Sequence, residues 1–451
     1  MITSLFSGLN KAVRSLQAAQ HSITVHGSNI AHANDKNYTR RDPMPFAESV
    51  TFGPGVVRLR DSFVDAQYRL ASGSAGDAQV RQKIMSRVED VFGDPVNGGL
   101  RKALDQFFDA WQGVAENPGD GVSRLQVLAA ASTFAEQIQS TYRKLSDVEQ
   151  TVNEDLITRV DEVNTLTDKI FDLNKRISSL HRNEMDDATV RDQRDVALDR
   201  LAQLTGAKSF EQEDGTVRVV VGPTVIVEGP TVVKLQLTAG ATGPNPTWIG
   251  YMQPTYAGTG EIAGLVTVRD VELAELKQDI DSLGRTVATE VNNQHAAGFA
   301  AGGIAPPAVF LLSLAPADIT LNPALTASNL GVAGDAAGLP SDGDNARLIA
   351  QIAEKPVFTS IIIPGQTQAP RTYYRNLIGW VGNHAQDAQL QFELSDAHVK
   401  AADQQRQSMF GVSIDEEVAN LTMQQKAYAA AARVISIMDE MMDTLINRTL
   451  G

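Results

Sequence analysis

Residues 414–435 read IDEEVANLTMQQKAYAAAARVI, and Ile414, Val418, Leu421, Gln425, Tyr428, Ala432 and Ile435 recur there by alternating steps of four and three. That is the a/d spacing of a coiled-coil seam, which keeps one narrow stripe of a helix turned toward a partner. The first thirty residues carry the same signal: Leu5, Leu9, Ala12, Leu16, Ala19, Ile23, His26 and Ile30. The two segments are therefore expected to pair. Two seams with everything else looped out between them point to a polymer subunit rather than an enzyme.

Charge supports the pairing. Residues 1–34 contain no Asp or Glu and carry Lys11 and Arg14. Residues 410–451 carry six acidic side chains against three basic ones, Lys426, Arg433 and Arg448. Exposed pairs of this kind contribute only a few tenths of a kcal/mol each. The trio Asp415, Glu416 and Glu417 sits where a helix N-terminus favours negative charge, with Ser413 as N-cap.

Moving inward, Pro43, Pro45, Gly53, Pro54 and Gly55 predict extended segments and turns between Asn37 and Phe63. Helical periodicity returns near Ala75. It is strongest from Gln139 to Leu180, through Leu145, Val148, Val152, Leu156, Val160, Val163, Leu166, Ile170, Leu173 and Ile177. Another helix is expected over 188–204, ending at Gly206. Val217, Val219 and Val221, then Val225 and Val227, alternate around Gly222-Pro223, which is hairpin patterning. Helix resumes from Leu265 to Asn293, with Val271, Leu273, Leu276, Ile280, Leu283 and Val287 on its inner side. A last helical stretch is expected over 346–410.

The fold class expected is α+β and multidomain: long terminal coiled-coil helices, a helical-bundle domain and an inserted small β-rich domain. The expected division has 1–45 pairing with 410–451. A helix-rich domain spans 46–206 and is completed by 261–300 and 346–409. A β domain is inserted at 207–260, and 301–345 is a region of loop and short strands.

Composition bounds the function. The chain has 451 residues, 43% hydrophobic and 21% charged, the balance of a folded protein with two to four domains. A net charge of -15 argues against nucleic acid or an anionic membrane as main partner. The absence of cysteine removes disulfides, thiolate metal sites and a Cys nucleophile. No secretory signal and no membrane-length apolar run is expected.

Candidate chemistry fails on geometry. His26 lies about 140° round the helix from His21, and His32 lies roughly 16 Å along it from His21, so these three make no tight metal site. Gly258-Thr259-Gly260-Glu261-Ile262-Ala263 resembles a dinucleotide fingerprint without its βαβ context and reads as a turn into a helix. Asp342-Gly343-Asp344 lacks the later ligands of a calcium loop and reads as a helix-capping turn. Asp186, Asp187, Arg191, Asp192, Arg194, Asp195, Asp199 and Arg200 read as a solvated helix face laced with ion pairs. No cofactor, metal or catalytic residue is expected.

Asn29-Ile30-Ala31-His32-Ala33-Asn34 with Tyr38 and Arg40, and Ser413-Ile414-Asp415-Glu416-Glu417 with Ala419, Leu421, Gln425 and Tyr428, resemble the paired signatures of flagellar rod, hook and hook-associated proteins. Rod and hook members usually open the second signature with Asn-Val-Asp, so the Ser-Ile-Asp-Glu-Glu form points to the hook-associated branch. Asp192-Gln193-Arg194-Asp195 and Val291-Asn292-Asn293-Gln294-His295 fit the same branch, while Asp35-Lys36-Asn37 replaces the usual Thr-Pro-Gly. The resemblance implies a structural subunit between hook and filament, exported without a cleaved signal and located outside the cell in the flagellum. Its implied partners are its own copies in a ring or helix, the hook protein, a second hook-associated protein and an export chaperone. The alternatives are another axial protein of the same assembly, or an adhesin or enzyme carried on a flagellar scaffold.

Overall fold

A computed structural model describes residues 2–44, 55–93, 99–183, 185–240, 242–251, 256–359 and 367–449. Pro45, Gly53, Pro54, Pro254 and the expected boundary at 45–46 lie outside the described residues, as do the side chains of Leu5 and Arg448.

The chain begins with helix α1 (Ile2–Ala31), followed by the antiparallel strands β1 (Arg41–Pro43) and β2 (Val56–Arg58). The bundle is then built from α2 (Ser62–Phe92), α3 (Gly99–Glu116), α4 (Gly121–Arg182) and α5 (Ala188–Thr205). Asp120 caps α4 by accepting from the backbone N–H groups of Val122 and Ser123, and His181 and Arg182 sit in its last turn. Between those signals α4 runs for 62 residues, well beyond the expected 139–180, because Val127, Ala131, Phe134 and Ile138 extend the apolar stripe backward.

Helix α2 starts at Ser62, capped by Asp61, rather than near Ala75. Small residues from Ala71 to Gly76 conceal its period, and packing explains them. A Cβ on Gly76 would fall 2.4 Å from the Gln203 carbonyl oxygen, and one on Gly73 would fall 3.1 Å from that of Ala202. The backbone of α5 passes too close for a side chain.

The expected β region holds two sheets. Strands β3 (Lys208–Glu211), β4 (Val217–Val221), β5 (Thr224–Glu228) and β6 (Thr231–Val232) form an antiparallel meander. Strands β7 (Leu235–Ala239) and β8 (Pro244–Trp248) form a separate hairpin. Both dock on α4 through asparagine amides that imitate a strand edge. Asn174 accepts from Val217 N–H at 3.2 Å and donates to its carbonyl at 2.8 Å. Asn164, three turns away, does the same for Leu235 at 2.9 and 2.8 Å.

Helix α6 (Gly260–Thr267) follows the turn at Thr259 and passes through a π-helical turn, Val268–Leu273, into α7 (Ala274–Ala296). The extra residue of the π turn shifts the phase of everything before it. Val271, expected on the inner side, is therefore 46% exposed, whereas Leu273, Leu276, Ile280, Leu283 and Val287 are buried. Strands β9 (Phe310–Leu312) and β10 (Ile319–Leu321) pair next, before the short helix α8 (Asp344–Gln351). Asp342 forms the capping turn, accepting from the N–H groups of Gly334, Asp335 and Asp344.

The helix expected over 346–410 is interrupted. Strands β11 (Phe358–Thr359) and β12 (Thr367–Gln368) pair between α8 and α9 (Pro370–Phe410), where Pro356, Pro364 and Pro370 cannot sit within one continuous helix. Residues 411–413 then separate α9 from α10 (Ile414–Thr449). One core runs through the bundle, centred on Phe107, Phe134 and Phe310, with ring centroids 5.5 to 6.1 Å apart. His295 is wholly buried edge-on to Trp111, and its Nε2 accepts from Gly331 N–H at 2.8 Å. Burial pushes its pKa down to about 4, so it is neutral in the fold.

Gly76 gives a direct check on the close α2–α5 packing. Gly→Ala in an open helix stabilises by about 0.5–1 kcal/mol. Here Gly76→Ala is expected to destabilise by about 1–3 kcal/mol through overpacking, read as a lower urea midpoint at unchanged m-value.

Candidate functional site

Helices α1 and α10 pack antiparallel. A Cβ on Gly8 would fall 2.7 Å from Met438 Cε, and His26 meets Glu417 toward the other end. The residues of α1 turned inward are mostly small or polar: Ala12, Ala19, Ser22, His26 and Asn29 are buried, together with Val25. On α10 Glu417 is buried, and Asn420, Leu421, Gln424, Ala431, Ala432, Ile435, Met438 and Met442 are half-buried. On α10 the expected seam is thus split: Leu421, Ala432 and Ile435 turn partly inward, while Ile414, Val418 and Tyr428 do not. Leu9, Leu16, Ile23 and Ile30 are half-buried, as are Leu421 and Ile435. Tyr428 is 37% exposed, Val418 45% and Ile414 48%.

The signature residues divide between a buried knot and an exposed rim. Glu417 is fully buried. Its Oε2 accepts from His26 Nδ1 at 2.7 Å and from Asn29 Nδ2 at 2.9 Å, and its Oε1 lies 2.8 Å from Arg40 Nε. Asn29 Oδ1 accepts from the Tyr38 hydroxyl at 2.8 Å and from Arg41 N–H at 3.2 Å, fixing the chain as it leaves α1. His32 stacks on Tyr38, centroids 4.7 Å apart. Arg40 also reaches Glu416 at 3.0 Å. Ala31, Asn34 and Asp415 are exposed, and Ile30 is half-buried. Burial works against ionisation of Glu417, but the hydrogen bonds from Asn29 and His26 and the Arg40 charge outweigh it and hold the carboxyl below its usual range.

Beyond this knot lies the joint to the bundle, and here the reading of residues 186–200 as a solvated face is overturned. Asp192, Arg194 and Asp195 are buried. Asp192, Asp195 and Asp199 share one face of α5 and accept arginines from three other elements. Arg41 reaches Asp192 at 3.0 Å, and Arg58 reaches Asp192 at 2.7 Å and Asp195 at 2.6 Å. Arg60 reaches Asp195 at 3.1 Å and also pairs with Asp65. Arg69 of α2 reaches Asp199 at 2.7 Å. Arg406 of α9 reaches the same carboxylate at 2.8 Å and lies over the Tyr68 ring. Burial alone would raise the Asp195 carboxyl, but the guanidiniums of Arg60, Arg58 and Arg69 hold it far below the usual range.

The spacing of this network was present in the sequence. Positions 192, 195 and 199 are i, i+3 and i+7 on a helix, and Arg58 and Arg60 are i and i+2 on an extended segment. The local i,i+4 pair of Arg191 with Asp187, at 2.8 Å, does form. Arg191 does not pair with Asp195, its other i,i+4 neighbour, because Asp195 is taken by longer-range partners.

A cleft of about 600 Å³ opens beside the joint, between residues 32–40, the aspartates of α5 and residues 403–413. Among the described residues no group of His, Cys, Asp and Glu could hold a metal ion. His21 bonds to the Gly55 carbonyl and His32 to that of Ser28, each apart from His26. What the arrangement does is mechanical: it fixes the direction in which the α1–α10 pair leaves the bundle.

Both carboxyls are depressed in the fold, so their stabilisation is complete above the ordinary carboxylate range and lost as pH falls through the folded values. The angle between the pair and the bundle is expected to hold from pH 7 to about 5 and to loosen below about pH 4. Small-angle scattering of the monomer would follow it. Glu417→Gln keeps the shape but removes the charge, so the pair should already be weakened at pH 7.

Residues 85–310 match the family model described as the flagellar hook-associated protein FlgK helical domain. Residues 403–448 match the flagellar basal body rod FlgEFG protein C-terminal model. The chain is 26% identical to the flagellar hook-associated protein 1 of Bacillus subtilis, with 99% of each chain covered. It is 23% identical to that of Escherichia coli, over 97% of this chain and 99% of the relative. Its fold is similar to the flagellar hook junction protein FlgK from Burkholderia pseudomallei, with a TM-score of 0.65 at 15% identity over 76% of this chain and 100% of that one. The helical-domain match spans half of the chain, and the protein therefore belongs to the flagellar hook-associated protein FlgK family.

Proposed function

We propose that this protein is a structural subunit of the bacterial flagellum that forms the junction between hook and filament. The observation that carries the reading is the arrangement of the α1–α10 pair. The positions buried on α1 are mostly small or polar, while Ile414, Val418, Val434, Ile437 and Met441 are each more than 40% exposed along α10. Burying a large apolar side chain fully contributes about 1.5–3 kcal/mol, and here that gain is left for neighbouring molecules. The names of the relatives, hook-associated protein 1 and hook junction protein, agree with it.

The finer parts of the proposal follow the family. The neighbours are further copies of the chain, the hook protein on one side and a second hook-associated protein on the other. An export chaperone escorts the chain, which leaves the cell without a cleaved signal and acts there as scaffold, not as enzyme. No described helix is long and apolar enough to cross a membrane. The seam residues Leu9, Leu16, Ile23, Ile30, Ile414, Val418, Leu421, Tyr428 and Ile435 supply the contacts, with Leu5 assigned the same role from its spacing. The helical-domain match favours the junction over hook or rod.

Three experiments test this. Labelled antibody on purified flagella should give one band where hook meets filament; signal along the whole filament, or along the hook alone, would sink the junction role. Ile414→Asp with Val418→Asp should leave the monomer's helicity and melting within about 0.5 kcal/mol of the parent, since both sites are exposed. The same pair should abolish filament growth in cells. Truncation of residues 412–451 should likewise leave a folded bundle that does not assemble, and normal filaments from either variant would refute the seam assignment.

A further inference from the structure

Helix α10 carries a second stripe with the spacing of a seam. Met423, Ala427, Ala430, Val434, Ile437 and Met441 recur by alternating steps of four and three. At about 100° per residue all six fall within about 80° of arc, along roughly 27 Å of helix. All six are exposed, Met423 by 57%, Ile437 by 48%, Met441 by 44% and Val434 by 42%. Glu417, which faces α1, lies about 120° round the helix from Met423, and Ile414 lies about 180° round it. The stripe is therefore distinct both from the side turned to α1 and from the flank of Ile414 and Val418.

The order of side-chain sizes along the stripe selects a partner. The small Ala427 and Ala430 fill its first half and the branched Val434 and Ile437 its second half, with a methionine at each end. A parallel copy would stack Ala on Ala and Ile on Ile, leaving voids in some layers and crowding others. An antiparallel copy crossing at residue 432 sets Ala430 against Val434, Ala427 against Ile437 and Met423 against Met441. Each central layer then joins one small and one branched side chain, and the adaptable methionines close both ends. Charge agrees with this orientation. Lys426 and Glu440 are exposed on the same edge of the stripe, and antiparallel pairing brings Lys426 of one copy toward Glu440 of the other. Arg433 meets its own copy near the axis, where its length lets the guanidinium turn to water.

We propose that the free protein forms a twofold dimer through this stripe, its two α10 helices antiparallel and crossing at residue 432. Such a contact uses the same patch on both molecules and closes on itself. A ring or helix of copies needs head-to-tail contacts instead. The dimer is thus a state of the protein before assembly, and it competes with assembly. The inference concerns the protein in solution and does not depend on where it assembles.

Sedimentation of the full-length protein over a concentration series tests it. The mass should rise from that of the 48.5 kDa chain toward twice that value. Ile437→Asp should stay monomeric throughout, whereas Leu390→Asp, at an exposed site on α9, should dimerise like the parent. Both sites are exposed, so the melting of the monomer should not move. A parent that never dimerises, which would leave the stripe to a different partner, overturns the proposal. So does equal loss of the dimer in both variants, or in neither. Orientation has its own check, because the chain contains no cysteine. Ala430→Cys mixed with Val434→Cys should cross-link faster under mild oxidation than either variant alone. In the antiparallel pair the two copies of residue 430 are out of line by about four residues, too far apart for normal disulfide geometry. Fastest linking of Ala430→Cys to itself would mean a parallel pair and would refute the crossing.

Discussion

A buried carboxylate fixes the geometry on which the rest of the molecule's use depends. Glu417 carries a charge at a position with no solvent exposure, and it is tolerable only because His26, Asn29 and Arg40 all converge on it. Removing one partner of such a group costs about 3–5 kcal/mol, since the remaining charge stays buried. A slide of α10 against α1 by one heptad would leave Glu417 without all three. The register of the two helices is set at this end by this one side chain, and the Asn29–Tyr38–Arg41 bonds pass that register on to the β1–β2 hairpin and so to the bundle.

The consequence is a division of labour between two stripes on each terminal helix. Gly8, Ala12, Ala19 and Ser22 permit close approach within the molecule, but contribute little apolar area. Ordering a residue's backbone costs about 1–2 kcal/mol, so a pair built on such a column is weak alone. Ile414, Val418, Val434, Ile437 and Met441 meanwhile stand exposed on the flank of α10.

Much of this was legible in advance, and what was not has identifiable causes. The four-three spacing located both terminal helices and their pairing. It did not decide which of two adjacent stripes faces inward, because hydrophobicity favours Ile414 and Val418 whereas burial follows Glu417 and Gln424. A buried charge defeats pattern reading, since nothing local marks Glu417 apart from Glu416. Asp192, Asp195 and Asp199 misled in the same way: within one helix they resemble a solvated face, and only the arginines from residues 41 to 69 and Arg406 give them partners. Phase was the third difficulty. A single extra residue in the π turn moved Val271 outward, and a run of small residues hid the first turns of α2 because a neighbouring backbone occupies their space.

The chemistry of the joint suits a part that must keep an angle before any neighbour is present. An apolar joint of similar area would hold as well, but with little directional preference, and its edges would be further adhesive surface. Here five arginines, 41, 58, 60, 69 and 406, meet five aspartates, 65, 192, 195, 199 and 403, so the charges satisfy one another. Guanidinium–carboxylate bonds are strongly directional, and a network drawn from α2, α5, α9 and the β1–β2 hairpin constrains the exit direction from several sides at once. Along α10 exposed apolar side chains recur from Ile414 and Val418 to Val434, Ile437 and Met441.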